Sequence, residues 1–160
     1  MNNLISTLDG VGDGVIYYPI FKTLCLSRPD DIFYCTNNIF FLDKDISDKL
    51  NLPENLKFIS EEFRRFPQDK WSNINDFIDR NKIEKIINLR FIGRKFEIDY
   101  FKFKDFHLSN NSNLEFFDSE DISFDINGAN VREVISKIFE KAFDIKIQYE
   151  VYPLKDIFSS

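Results

Sequence analysis

The sequence predicts an α/β fold in which helices cover both faces of a parallel sheet. Short apolar segments alternate with helix-like segments along the first half of the chain, at residues 3–8, 15–26, 31–36, 39–52, 57–60, 71–81 and 83–89. The second strand segment, 31–36, is apolar over most of its length, which is typical of a strand covered on both faces. This strand–helix rhythm favours parallel strands joined by right-handed crossovers.

Composition narrows the class of protein. A chain of 160 residues is long enough for one domain with a real core. The formal net charge of −6 argues against nucleic-acid binding through phosphate neutralisation. The sequence has no signal peptide and no run of about 20 apolar residues, so we expect a cytoplasmic protein without a membrane span. Cys25 and Cys35 have no zinc-site spacing, and we expect reduced thiols and no metal.

Three of the five glycines, Gly10, Gly12 and Gly14, surround Asp13 between the first strand and the first helix. The sequence predicts a loop here that admits a ligand, because glycine lets the backbone approach a ligand closely. An acidic residue opposes an anion at a helix N-terminus, so Asp13 indicates a hydroxyl-bearing ligand and a base. Two alternatives remain. Asp13 caps a helix that begins at Gly14 or Val15, or the glycines form a tight turn without a ligand.

The glycine spacing does not match a dinucleotide site. The pattern is G-x-G-x-G rather than G-x-G-x-x-G, and Thr36-Asn37 stands where an acidic residue is expected after the second strand. We therefore expect neither a nicotinamide nor a flavin cofactor.

Basic and amide side chains follow the third and fourth strand segments. Arg64 and Arg65 follow the third, while Asn88 and Arg90 end the fourth. Ligands of α/β proteins bind at the carboxyl edge of the sheet, and arginine pairs well with phosphate. The basic residues are thus predicted to hold an anionic acceptor such as a phosphorylated saccharide, and they are Arg64, Arg65, Arg90, Arg94 and Lys95. Asn88 and Arg90 have the stronger positional case, because they end a central strand. For each arginine, surface solubilisation is the alternative. The lone histidine, His107, is predicted to be structural.

The second half of the chain is less regular. Residues 96–103 nearly alternate between apolar and charged side chains and predict a half-exposed strand. Residues 110–113 predict a loop, and 116–126 receive no assignment. Asn130 followed by Glu133 predicts a capped helix start before the apolar spacing of residues 131–142. Alternation over 145–151 predicts a last strand.

Residues 7–24 resemble the opening of the heptosyltransferase-type glycosyltransferases. The matching positions are Gly12-Asp13, Pro19 and Leu24, and residues 85–89 resemble a later strand of that family. These are GT-B enzymes, in which two Rossmann-like domains face a cleft. The resemblance implies a single Rossmann-like domain over 1–160 that forms the acceptor-side half of such an enzyme.

The resemblance also implies roles. Asp13 would be the base that deprotonates an acceptor hydroxyl, Gly12 and Gly14 would shape the site, and Asn88 with Arg90 would flank the acceptor. The reaction would be metal-independent transfer from a nucleotide-sugar donor. The family's second domain would follow where this chain stops. We therefore expect either that a partner chain supplies it or that this sequence is an excised N-terminal half.

Two other functions stay open. The chain could be a non-catalytic module that binds a nucleotide or a sugar phosphate. It could also be an assembly protein whose interface is formed by exposed aromatic residues, namely Phe96, Tyr100, Phe103, Phe116 and Phe117.

Overall fold

A five-stranded parallel sheet organises the chain, and its strand order is β3-β2-β1-β4-β5. The computed structural model describes residues 1–7, 11–36, 44–90, 94–123 and 130–148. The strands are β1 (Asn2–Ser6), β2 (Ile32–Thr36), β3 (Leu56–Ile59), β4 (Ile83–Asn88) and β5 (Glu115–Phe117). The helices are α1 (Val11–Ser27), α2 (Lys44–Leu50), α3 (Trp71–Arg80), α4 (Ile98–Ser109) and α5 (Val131–Phe143). The predicted Rossmann-like α/β class is confirmed.

The direction in which strands are added reverses between β1 and β4. From β1 the chain builds β2 and β3 on one side, and it then crosses to add β4 and β5 on the other. In open α/β sheets such a switch point is where ligands bind, outside the carboxyl ends of the strands. The register places Ser6 opposite Asn88, so the ends of β1 and β4 lie side by side.

Each face of the sheet carries its own apolar core. Successive residues of a strand point to opposite faces, so Ile5 joins the core under α1 and α5, while Leu4 joins the core under α3 and α4. In the first core Phe21 of α1 packs against Phe139 of α5, with ring centroids 5.5 Å apart. In the second, Phe66 packs against Tyr100 and other aromatic rings. Burial of both faces agrees with the apolar sequence of β2.

Helix α1 begins earlier than the sequence predicts. The helix starts at Val11, so Gly12, Asp13 and Gly14 lie in its first turn and not in a preceding loop. Each glycine in a helix costs about 1 kcal/mol relative to alanine. Tertiary packing of a long apolar helix outweighs that cost, because most helical stability in proteins comes from packing.

The predicted strand over 96–103 is wrong, because this segment enters helix α4. Tyr100 and Phe101 are adjacent in sequence and both buried. Neighbours in a strand face opposite sides, whereas a helix packed in a groove can bury both. Lys102 is exposed, whereas Lys104 is mostly shielded and pairs with the buried Asp118 at 2.9 Å, so the alternating lysines imitate a strand pattern without sharing one face of the helix.

The end of the chain differs from expectation in two further places. The unassigned stretch contains β5, which pairs with β4 at the sheet edge, followed by a 3-10 turn over Ser119–Asp121. The last predicted strand is wrong for residues 145–148, which form no strand. Residues 149–151 of that prediction lie outside the described residues, as do residues 39–43 of the second predicted helix.

Helix α5 confirms its predicted start. The Asn130 side chain accepts a hydrogen bond from the Arg132 backbone N–H at 3.0 Å. We expect Asn130→Ala to lower the free energy of unfolding by about 1 kcal/mol, because it leaves a helix donor without its cap. Urea unfolding measures this loss. Glu133→Ala is the matched control, since among the described residues Glu133 forms an exposed ion pair with Lys137 and no cap bond. Equal losses in the two variants would contradict the role of the cap.

Candidate functional site at the carboxyl edge

Two buried polar side chains meet where β1 and β4 end. Ser6 and Asn88 are register partners, and both are shielded from solvent. They follow Leu4 and Ile86 by two residues, so they point to the face covered by α3 and α4. Within the part of the chain that the structure describes, Ser6 Oγ and Asn88 Nδ2 have no hydrogen-bond partner. The Asn88 Oδ1 atom accepts from the Arg90 backbone N–H at 3.2 Å.

A buried ion pair adjoins these two residues. The Arg90 Nε atom lies 2.5 Å from Glu97 Oε1, and the two side chains are 5% and 1% exposed. Glu97 immediately precedes α4, and its carbonyl accepts from the Phe101 backbone N–H. The second carboxylate oxygen, Glu97 Oε2, is buried and has no hydrogen-bond partner among the described residues. The two opposite charges of the pair therefore balance, but the Glu97 Oε2 acceptor has no hydrogen bond among the described residues.

On the other side of β1 the edge is polar but satisfied. Thr7 donates its backbone N–H to Thr36 Oγ1 at 3.0 Å, and its hydroxyl donates to the Thr36 carbonyl at 3.0 Å. The two hydroxyl oxygens are 2.9 Å apart. These bonds tie the ends of β1 and β2 together, so the described side chains of Thr7 and Thr36 satisfy one another at this edge, in contrast to Ser6 and Asn88.

Unsatisfied buried groups are informative because folded proteins avoid them. More than 90% of buried polar groups have a partner, and each exception costs about 1–3 kcal/mol. Here Ser6, Asn88 and Glu97 leave a hydroxyl, an amide donor and a carboxylate acceptor within one chain of contacts. Their position at the switch point of the sheet is the position expected of a ligand site. The donors and acceptors together suit hydroxyl groups, which both donate and accept.

The glycine-rich segment reaches the same edge. Residues 7–10 connect β1 to α1, so the first turn of α1, with Gly12, Asp13 and Gly14, starts at the carboxyl edge of the sheet. Because α1 begins at Val11, the alternative in which Asp13 caps a helix starting at Gly14 or Val15 is wrong. Gly10 lies outside the described residues.

Arg64 and Arg65 follow a strand that does not pair with the strands of this cluster. They follow β3, and β2 and β1 separate β3 from β4. Three strand spacings amount to about 14 Å. Arg64 is 4.0 Å from Glu61 Oε2, and Arg65 is exposed with a left-handed backbone at φ 74°. The structure thus brings Asn88 and Arg90 together. The segment that carries the arginine pair leaves β3 and returns toward α4, where Phe66 packs against Tyr100 with ring centroids 5.3 Å apart.

The lone histidine lies at the other end of the sheet. His107 lines a cavity of about 310 Å³ near the start of β4, and its Nε2 atom is 2.9 Å from Asn75 Oδ1. Burial lowers the pKa of His107 from its ordinary value of 6.5, so the imidazole is neutral at pH 7. The described residues hold no cluster of three or more potential metal ligands, and their helices include none with the length and apolarity of a membrane span.

Ser6 and Glu97 were not predicted as site residues. Glu97 fell inside the segment predicted as a strand, where it counted as an exposed charge. Glu97 lies immediately before α4 and close to the end of β4, and this position can be recognised only once α4 is known to be a helix. Ser6 could have been selected by the same strand-end rule that selected Asn88, because it ends the first strand.

Comparisons with known proteins add no assignment. No protein-family model, curated protein or solved structure matches this chain. The functional assignment therefore depends on the motifs of residues 7–24 and 85–89 and on the chemistry of the carboxyl edge.

Proposed function

We propose that the carboxyl edge of β1 and β4 binds a saccharide acceptor, and that this chain is the acceptor-side half of an inverting glycosyltransferase. The observation that carries the proposal is the set of unsatisfied buried groups on Ser6, Asn88 and Glu97 at the switch point. The first turn of α1, which carries Asp13 and the motif resembling the heptosyltransferase type, begins at the same edge.

The proposed reaction needs one base. An acceptor hydroxyl oxygen forms a bond to the anomeric carbon of a nucleotide sugar, while the bond from that carbon to the nucleotide phosphate oxygen breaks. The hydroxyl proton passes to the Asp13 carboxylate, which has to lie within about 3 Å of the hydroxyl. Asn88 and Arg90 flank the acceptor, Asn88 by direct contact and Arg90 through Glu97.

The donor site is assigned to a second domain. A nucleoside diphosphate carries charge that is usually bound by arginine, lysine or helix N-termini. Among the described side chains at this edge, the arginine closest to the unsatisfied groups is already engaged by Glu97. This supports a donor site on a second Rossmann-like domain.

Asp13→Asn tests the catalytic assignment. Asparagine keeps the size of the side chain but cannot accept the proton, so we expect transfer to fall by about a hundredfold or more while acceptor binding persists. Transfer is measured as nucleoside diphosphate release from nucleotide sugars, with the chain and its partner half. Asp105→Asn is the control, because Asp105 is an exposed carboxylate on α4. Unchanged transfer in Asp13→Asn would remove the base from the proposal.

One observation favours a second candidate, a non-catalytic binding module. The unsatisfied groups of Ser6 and Asn88 are neutral, and the Arg90–Glu97 pair has no net charge, so the described part of the site is built for binding. In that case saccharide binding is present, but no partner half confers transfer, and Asp13→Asn leaves binding unchanged or improved.

A further inference from the structure

Resting on the proposed saccharide site, we infer that Glu97, Asn88 and Ser6 recognise uncharged hydroxyl groups, and that Arg90 positions Glu97 instead of binding a phosphate. The sequence assigned Arg90 to an anionic acceptor. The structure engages its guanidinium with a carboxylate at 2.5 Å in a shielded position.

The charge of the site argues against an anion. Moving Arg90 onto a phosphate would leave Glu97 buried without its counter-charge, and the lost pair would offset what the new pair contributes. A hydroxyl requires no such exchange. A hydroxyl can donate to a carboxylate oxygen such as Glu97 Oε2 or accept from an amide donor such as Asn88 Nδ2, and both protein atoms are unpartnered among the described residues.

The geometry also makes the three groups one unit. Ser6 faces Asn88 across the β1–β4 register, Asn88 Oδ1 holds the Arg90 backbone, and the Arg90 side chain holds Glu97. The Asn88 amide donor, the Glu97 carboxylate acceptor and the Ser6 hydroxyl are together suited to two neighbouring hydroxyl groups of a sugar ring. Because the three atoms are shielded from solvent, such a ligand has to enter the carboxyl edge and cannot lie on the outer surface.

The experiment uses amide chemical shifts of the ¹⁵N-labelled full chain. The probes are the methyl glycosides of glucose, galactose and mannose, and separately inorganic phosphate. We expect at least one glycoside to shift the amides of Asn88 and Leu89, and phosphate to leave them unchanged. Ser6→Ala should lower the affinity for that glycoside about fivefold, because it removes a neutral hydrogen bond. Glu97→Gln should lower the affinity about tenfold, because a charge-assisted hydrogen bond is stronger.

Glu97→Gln has a second readout that a merely structural role would not produce. Glutamine keeps the volume of the side chain but removes the carboxylate charge that Glu97 places against Arg90, so inorganic phosphate should begin to shift the Asn88 and Leu89 amides. Glu115→Gln is the matched control, since it removes an exposed carboxylate from β5 and changes the net charge equally. Ser6→Ala breaks no hydrogen bond within the described residues, so it keeps the test decisive if Glu97→Gln fails to fold.

Each outcome has a distinct meaning. Glycoside binding that is equal in wild type, Ser6→Ala and Glu97→Gln overturns the inference and leaves the proposed saccharide site standing. Phosphate binding to the wild-type edge also overturns the inference, and it restores Arg90 as an anion-binding residue. If no glycoside shifts these amides, because a resident water satisfies the three groups, the inference and the proposed function both fail.

Discussion

Replacing Glu97 with leucine is expected to lower the free energy of unfolding by about 3–5 kcal/mol. The substitution removes one partner of an ion pair whose side chains are 5% and 1% exposed, and it leaves the Arg90 guanidinium charged in a shielded position. Breaking one side of a buried pair has this cost because the remaining charge cannot regain water. Urea unfolding at pH 7 measures the loss.

The double variant Arg90→Met with Glu97→Leu separates charge from packing. Replacing both members of a buried pair with apolar residues of similar size is often neutral or stabilising. We therefore expect the double variant to recover most of the stability lost in Glu97→Leu. A double variant as unstable as the single one would show that the carboxylate contributes through α4, whose start it marks, and not through the charge of Arg90.

Local patterns predicted the sheet well because its central strands carry unambiguous signals. β2 and β4 are buried on both faces, and such strands are apolar runs whatever the rest of the chain does. Helix α4 escaped prediction because its buried aromatics, Tyr100, Phe101 and Phe103, are interleaved with lysines. Whether that spacing forms a strand or a helix depends on the groove into which the segment packs, and tertiary contacts decide it.

The site was predictable in position but not in chemistry. Asn88 and Arg90 follow from the rule that ligands of a parallel sheet bind where strands end. The pairing of Arg90 with Glu97 does not follow from this rule. Glu97 lies next to Arg90 only because the chain folds back after β4 and begins α4 immediately after Glu97. The unsatisfied state of Ser6 likewise depends on the register of β1 against β4, which no local pattern encodes. This is why an arginine that the sequence assigns to an anion belongs, in the fold, to a site suited to hydroxyls.

Two buried thiols provide an independent test of the core under α1. Cys25 of α1 and Cys35 of β2 are 2% and 0% exposed. Burial raises the pKa of the Cys25 thiol from 9.0 to about 12. Burial first, and then the charge of Cys25, raises the pKa of Cys35 well above its ordinary value of 9.0. Both thiols thus stay protonated in the folded chain at pH values where an unfolded chain has lost those protons.

The sign of the pH dependence follows from this difference. Below pH 9 both states hold the thiol protons, and the stability of the core is fully present. Above pH 9 the unfolded state binds fewer protons than the folded state, so the free energy of unfolding falls by about 1.4 kcal/mol per pH unit for each thiol. Between pH 8 and pH 10.5 Cys25 should remove about 2 kcal/mol, and Cys35 should add a loss in the same direction, measured by urea unfolding under reducing conditions.

The variant Cys25→Ala with Cys35→Ala is the control for this alkaline loss. It is expected to be less stable than wild type at pH 8, because it leaves small cavities, but to lose much less stability on going to pH 10.5. Burial, and to a lesser extent the charge of Asp118, also raises the pKa of Tyr100. A smaller loss of unfolding free energy that begins near pH 10 should therefore remain in the double variant. Parallel pH profiles for the two proteins would mean that the thiols already ionise in the folded state, and that the core between α1 and β2 admits solvent.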